Sequence, residues 1–122
     1  MGEGVRDVVP LPVVETASPG CSVVTPRGEL DSFTAPALRQ AIADQLQDDS
    51  VTHLVVDLSR TTFLDSSALG VLIGAFKRMR EREGRLDVVQ PPDNLRRIFE
   101  ITALDSVLHL HESREQAVGS GG

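Results

Sequence analysis

The chain has 122 residues, 40% apolar and 25% charged, with a formal net charge of −6; that is enough for one domain with one core, and too acidic for a non-specific binder of nucleic acid or of an anionic membrane. Four Phe are its only aromatic residues, so the core must come from Val, Leu, Ile and Ala, and a single Cys excludes an internal disulfide and suggests a reducing compartment. No uninterrupted apolar run is long enough to span a bilayer, and MGEGVRD has neither the basic nor the apolar region of a secretory leader, so the expected location is the cytoplasm.

Residues 1–7 are polar and Gly-rich, expected as a flexible tail. Residues 8–14 are β-prone but carry Pro10 and Pro12, which fit only an edge strand or an irregular lead-in. Ser18-Pro19-Gly20 signals a turn. Cys21 to Thr25 reads as a strand, and Gly28-Glu29-Leu30-Asp31 as the loop that ends it. A helix is expected over 34–47, with Ala35, Leu38, Ile42 and Leu46 on one face at helical spacing. Thr34 can cap it, and Pro36 is tolerated in a first turn.

HLVVDL, 53–58, is a short apolar run of the kind found in a strand buried on both faces. Ser59 to Thr62 is polar, and Phe63-Leu64 returns to the core. A second helix is expected over 66–83, with Leu69, Leu72, Ile73, Phe76 and Met79 or Arg80 inward. Gly70 and Gly74 lie four apart on it. Each costs about 1 kcal/mol against Ala, so the pair suggests that something packs close there. Gly84 stops the helix. Residues 86–89 form a third core strand, and Pro91-Pro92 precedes a third helix with Leu95, Ile98, Phe99 and Thr102 inward. Residues 107–110 are a last strand, and Ser113-x-x-Gln116 has the form of a capping box before a short helix. GSGG, 119–122, is expected as a flexible tail. Strands alternating with helices predict an α/β layer structure with a largely parallel sheet of four or five strands.

Catalytic templates fail one by one. GxxxxGK[ST], GxGxxG and GxSxG are absent. One Cys, and the two ligands that His109 and His111 could offer, fall short of a zinc site. His109 and His111 face the same way on a strand and are expected as surface histidines. Asp57 stands where a phospho-accepting receiver domain would place its acceptor, but the acidic pair and the Lys that such chemistry needs are missing. The chain is expected not to be an enzyme and to need no cofactor and no metal.

FLDSSALGVL, 63–72, is the informative stretch. Asp65 is a strong helix cap, able to accept from the N–H groups of residues 67 and 68. Capping explains the Asp without explaining the hydroxyls of Ser66 and Ser67. A phosphate on Ser66 would lie at a helix N-terminus, which tolerates an anion, and would add ≈ −1.5 to −2 charges. A partner docked there could be expelled while the domain stays folded.

VVDLSRTTFLDSSALGVL, 55–72, strongly resembles the phosphorylation-site segment of STAS domains, specifically the bacterial anti-sigma factor antagonists. GELDSFTAPAL, 28–38, and RRIFEITALDSVLHLHES, 96–113, are similar to two further family segments, in the same order. The resemblance covers residues 8–118 and implies a single STAS domain: a mixed sheet with helices packed mainly on one face. It implies a binding protein that engages an anti-sigma factor, a serine kinase of histidine-kinase-like ATPase fold, and so frees a sigma factor. Phosphorylation of the serine directly after the Asp, Ser66, ends the binding, and a serine phosphatase reverses it. Ser67 is the second candidate. The implied contact surface comprises Asp65, Ser66 and Ser67, the exposed side of the second helix at Val71 and Ala75, and Asp31 with Thr34. Val71 and Ala75 fit ordinary packing equally well, and Asp31 fits turn closure.

Two departures stand out. Ala68 replaces a Gly that many members carry after the two serines. Ala103 replaces another; if that position has φ > 0, Ala is strained there. The alternative to a phospho-switch is a STAS scaffold subunit of a larger assembly, a stressosome-like or lipid-transport complex. The free protein is expected to be a monomer, without direct contact to nucleic acid or membrane.

Overall fold

A computed structural model describes residues 10–121. The strands are β1 (Val13–Ser18), β2 (Cys21–Thr25), β3 (Gly28–Leu30), β4 (His53–Asp57), β5 (Thr61–Leu64), β6 (Arg85–Val89) and β7 (His109–His111). The helices are α1 (Ala35–Leu46), α2 (Ser66–Glu81), α3 (Asp93–Ile101) and α4 (Arg114–Gly119), with a 3-10 turn at Leu104–Ser106. The main sheet has the order β1-β2-β4-β6-β7. β1 is antiparallel to β2, and the pairs β2/β4, β4/β6 and β6/β7 are parallel. This is the expected mixed α/β sheet. The expectation for residues 1–7 lies outside the described residues.

β4 is buried at all five positions, as its unbroken apolar run requires of a central parallel strand. Alternate residues serve two cores. Leu54 and Val56 face α1, α2 and α3, in a cluster with Leu38, Leu72 and Phe99. Val55 faces the other way, with Cys21, Val23, Val89 and Ala117 of α4. Each fully buried Leu or Val contributes about 1.5–3 kcal/mol, so the three-helix face dominates stability. β1 is exposed at every residue, as its edge position allows.

Several expectations are corrected. Residues 28–30 are a strand, β3, paired in parallel with β5, where a loop was expected. The last strand begins at His109, after the 3-10 turn. Phe63 is 45% exposed, while Leu64 is buried. Gly119 ends α4, Ser120 Oγ donates to the Ala117 carbonyl at 2.8 Å, and Gly121 packs against His53, so residues 119–121 continue the fold where a flexible tail was expected. Gly84 is needed by contact: a Cβ there would come within 2.7 Å of Met79 Cε and of the Thr52 carbonyl. Arg82 donates to the carbonyls of Val51 (3.0 Å) and Asp48 (3.2 Å), tying the end of α2 to the loop after α1.

His109 and His111 are not simple surface groups. His111 Nε2 lies 2.7 Å from Asp87 Oδ1, and His53 Nε2 lies 2.7 Å from Asp87 Oδ2. Arg85 donates to the same carboxylate through Nε at 2.6 Å and Nη2 at 3.1 Å. His109 Nδ1 stands 3.7 Å from Oδ1. Asp87 is fully buried. Burial pushes its carboxyl up, but hydrogen bonds from Arg85, His111 and His53, with the Arg85 charge, hold it below the usual carboxylate range.

Candidate functional site: two capped helix starts side by side

β3 and β5 run in parallel and end in register, Leu30 beside Leu64. The next residue of each is an aspartate that closes the start of a helix. Asp65 Oδ1 accepts from the N–H of Ser67 at 2.8 Å and of Ala68 at 3.4 Å, capping α2. Asp31 Oδ1 accepts from the N–H of Phe33 at 2.9 Å and of Thr34 at 3.0 Å, and its carbonyl accepts from Ala35 N–H at 2.8 Å. Thr34 makes no side-chain cap bond; instead it accepts from Asp31 N–H at 3.0 Å and donates to the Glu29 carbonyl at 2.6 Å. The two turns are joined directly, Asp65 N–H donating to the Leu30 carbonyl at 3.2 Å. Both loops are therefore held by short-range polar bonds on top of a strand pair. That is how a rigid scaffold presents polar groups without ordering them on binding.

Asp31, Thr34, Asp65, Ser66 and Ser67 are thus brought to one end of the molecule. Ser66 is exposed and Ser67 half-buried. No hydrogen bond engages the Ser66 hydroxyl among the described residues, and no histidine attends it, since all three gather at Asp87. The arrangement lacks a base for nucleophilic catalysis but leaves a hydroxyl open to modification. At the start of α2 the N–H groups of Ser67 and Ala68 are already taken by the Asp65 carboxylate. A phosphate on Ser66 would stand beside that carboxylate and project outward.

Val71 and Ala75 are not on the exposed side of α2. They are 5% and 3% exposed and belong to the main core. The expectation of an exposed contact patch there is corrected: Val71 and Ala75 sit one and two helical turns on from Ala68, which is itself buried. Nor does anything pack close on Gly70 or Gly74. Among the described residues, and apart from the helix's own backbone, no atom lies within 4 Å of a Cβ placed on either. Their missing side chains open a groove of about 150 Å³ between α1 and α2, flanked by Arg39 and Arg78.

Two residues escaped the sequence reading. Phe33, in the turn before α1, is 50% exposed, and Phe63, just before Leu64, is 45% exposed. Both flank the capped helix starts. In a chain with four Phe, two are thus half-exposed beside the capped turns, and large aromatics are the residues that commonly anchor interfaces. No local signal gave this away: burial along Thr61–Leu64 runs buried, exposed, exposed, buried, without the alternation of a regular strand.

A family model for the STAS domain matches residues 13–117. The anti-sigma-B factor antagonist of Listeria monocytogenes is 36% identical over 83 residues, covering 68% of this chain and 72% of that protein. Among solved structures, an anti-sigma factor antagonist from Mycobacterium paratuberculosis superposes with a TM-score of 0.81 at 34% identity, over 90% of this chain and 92% of that one. The Bacillus cell fate determinant SpoIIAA in its phosphorylated form shares the fold, with a TM-score of 0.70 at 23% identity, over 89% of this chain and 97% of that one. With the mixed sheet, the paired capped turns and these matches together, the chain belongs to the STAS-domain family of anti-sigma factor antagonists.

Proposed function

We propose that this protein binds an anti-sigma factor through the surface formed by the two capped helix starts, releases a sigma factor, and is switched off by phosphorylation of Ser66. The observation that carries the reading is the exposed, unbonded Ser66 hydroxyl beside a carboxylate that already occupies the helix N-terminus. A phosphate of ≈ −1.5 to −2 charges finds the N–H groups of Ser67 and Ala68 already taken by Asp65. It meets the partner instead, where like or unpaired charge costs several kcal/mol. Phe33 and Phe63 supply the apolar part of the contact, with Asp31, Thr34 and Ser67 around them. The partner is a serine kinase with a histidine-kinase-like ATPase fold, and a serine phosphatase restores the hydroxyl. The protein acts in the cytoplasm as a monomer; among the described residues no helix is long and apolar enough to cross a membrane.

The test uses the purified anti-sigma factor encoded by the same genome and titration calorimetry at pH 7.5. Wild type and Ser66→Ala are expected to bind alike. Ser66→Asp is expected to bind at least about tenfold more weakly, or about 1.4 kcal/mol, with an unchanged circular dichroism spectrum. Equal binding by Ser66→Asp would instead favour a STAS scaffold without a phospho-switch. Incubation with ATP and mass spectrometry should place the phosphate on Ser66; recovery on Ser67 alone would move the assignment by one residue.

A further inference from the structure

The Asp87 cluster lies on the opposite face of the sheet from α1, α2 and α3, and the proposed switch makes no use of it. Its hydrogen bonds are fully allocated. Asp87 Oδ2 takes Arg85 Nε and His53 Nε2, and Oδ1 takes Arg85 Nη2 and His111 Nε2. Arg85 already balances the one negative charge. A neutral His53 and a neutral His111 therefore each carry their hydrogen on Nε2, and the next proton must add at Nδ1.

The Nδ1 edge of His53 lies beneath the C-terminal segment. A Cβ on Gly121 would overlap His53 Nδ1, and would come within 2.5 Å of Cε1. Only glycine backbone fits there, and no hydrogen bond reaches this nitrogen from the described residues. The apolar core of this sheet face comprises Cys21, Val23, Val55, Val89, Ala117 and the half-buried Val118. The charged and titratable neighbours come from four strands. β2 brings Cys21, whose thiol is pushed up by burial and then by Asp87. β4 brings His53, β6 brings Arg85, and β7 brings His109 and His111. α4 offers only Ala117 and Val118 to this face. Its Arg114 is turned to Glu15 (2.7 Å), Thr25 (3.0 Å) and Asp57 (3.3 Å). No second carboxylate reaches the cluster among the described residues, so a proton added to either histidine brings charge that nothing there offsets.

The covering element is tied at its start by Arg114, but beyond that residue it buries little apolar surface. α4 has six residues and buries one of them, Ala117. Segments with so little buried apolar contact open at low cost, independently of the global fold.

We propose that the Asp87 cluster is a proton-operated latch for the C-terminal segment. With His53 and His111 neutral, α4 and Gly121 lie closed over the back face of the sheet. When both histidines take a second proton, the cluster becomes cationic, the Nδ1 edge needs water, and α4 lifts, exposing Cys21 and the apolar face behind it. The three-helix face that carries Ser66 stays folded.

Hydrogen–deuterium exchange on the full chain tests this, at pH 7.5 and 5.5 with times corrected for intrinsic exchange. Amides of 114–121 are expected to lose protection at least about tenfold at pH 5.5, while β4 and α2 keep theirs. The double variant His53→Gln/His111→Gln keeps a donor at each position but cannot take the second proton. It is expected to hold 114–121 equally protected at both pH values. Unchanged protection of 114–121 in wild type, simultaneous loss in β4 and α2, or an undiminished response in the double variant would each overturn the latch. The wild-type measurement stands even if the variant does not fold. Binding through Ser66, measured at pH 7.5, is unaffected by any of these outcomes.

Discussion

At Asp65 a single carboxylate oxygen serves two backbone N–H groups, and the serine beside it is left open to solvent. Structure and proposed switching are thereby separated between neighbours: Asp65 holds the helix start, and Ser66 is the proposed site of modification. Asp65→Ala should cost about 1 kcal/mol, the usual worth of an N-cap, read as a lower urea midpoint with an unchanged slope. Ser66→Asp should leave that midpoint nearly unmoved, because the position is exposed. The same two variants therefore distinguish a cap from a switch. This site was legible in the sequence because a cap and its adjacent hydroxyls are contiguous, and capping depends only on residues within one turn. Val71 and Ala75 were misplaced for the opposite reason. Both are small and apolar, and only the packing of α1 against α2 decides that they face inward.

Among the elements, α2, β4 and β6 were readable from pattern alone. Their apolar periods are long enough to commit to one structure. β3 and β5 were not. They have three and four residues, and each is a strand only because the other lies beside it, from the far side of α1 and β4. The turn after α3 shows how one residue can be read correctly and still carry a cost. Ala103 has φ 60°, so the strain expected of a non-glycine residue there is present. A left-handed conformation costs an L-residue roughly 1–2 kcal/mol, and glycine gives part of that back in unfolded-chain entropy. Ala103→Gly should therefore stabilise the protein by about 0.5–1 kcal/mol, checked by an upward shift in the thermal midpoint.

At the scale of the molecule, the sheet divides the protein into two unequal halves. The three-helix side holds most of the core and the proposed switch; the other holds α4 and the Asp87 cluster. The buried carboxylate links this second half to acid stability. Asp87 is held below its ordinary range in the folded state, so the unfolded chain binds its proton more readily. Its contribution is present above the unfolded value, roughly pH 4, and is lost as pH falls through the lower folded value. Chemical denaturation should therefore show this contribution being lost from about pH 4 downward. Loss of that decline in Asp87→Asn would assign it to this group. Local residue pattern was enough for the α/β alternation, the central buried strand, the absence of the catalytic motifs tried and the place of the Asp-Ser-Ser helix start. Each of these rests on composition, on a short-range period or on a contact within one turn. Tertiary structure alone decided the β3/β5 pairing that sets the two capped turns together, the outward Phe33 and Phe63, and the gathering of three histidines on one aspartate. Those depend on which distant strands become neighbours, and neighbours across a sheet leave no mark on local sequence.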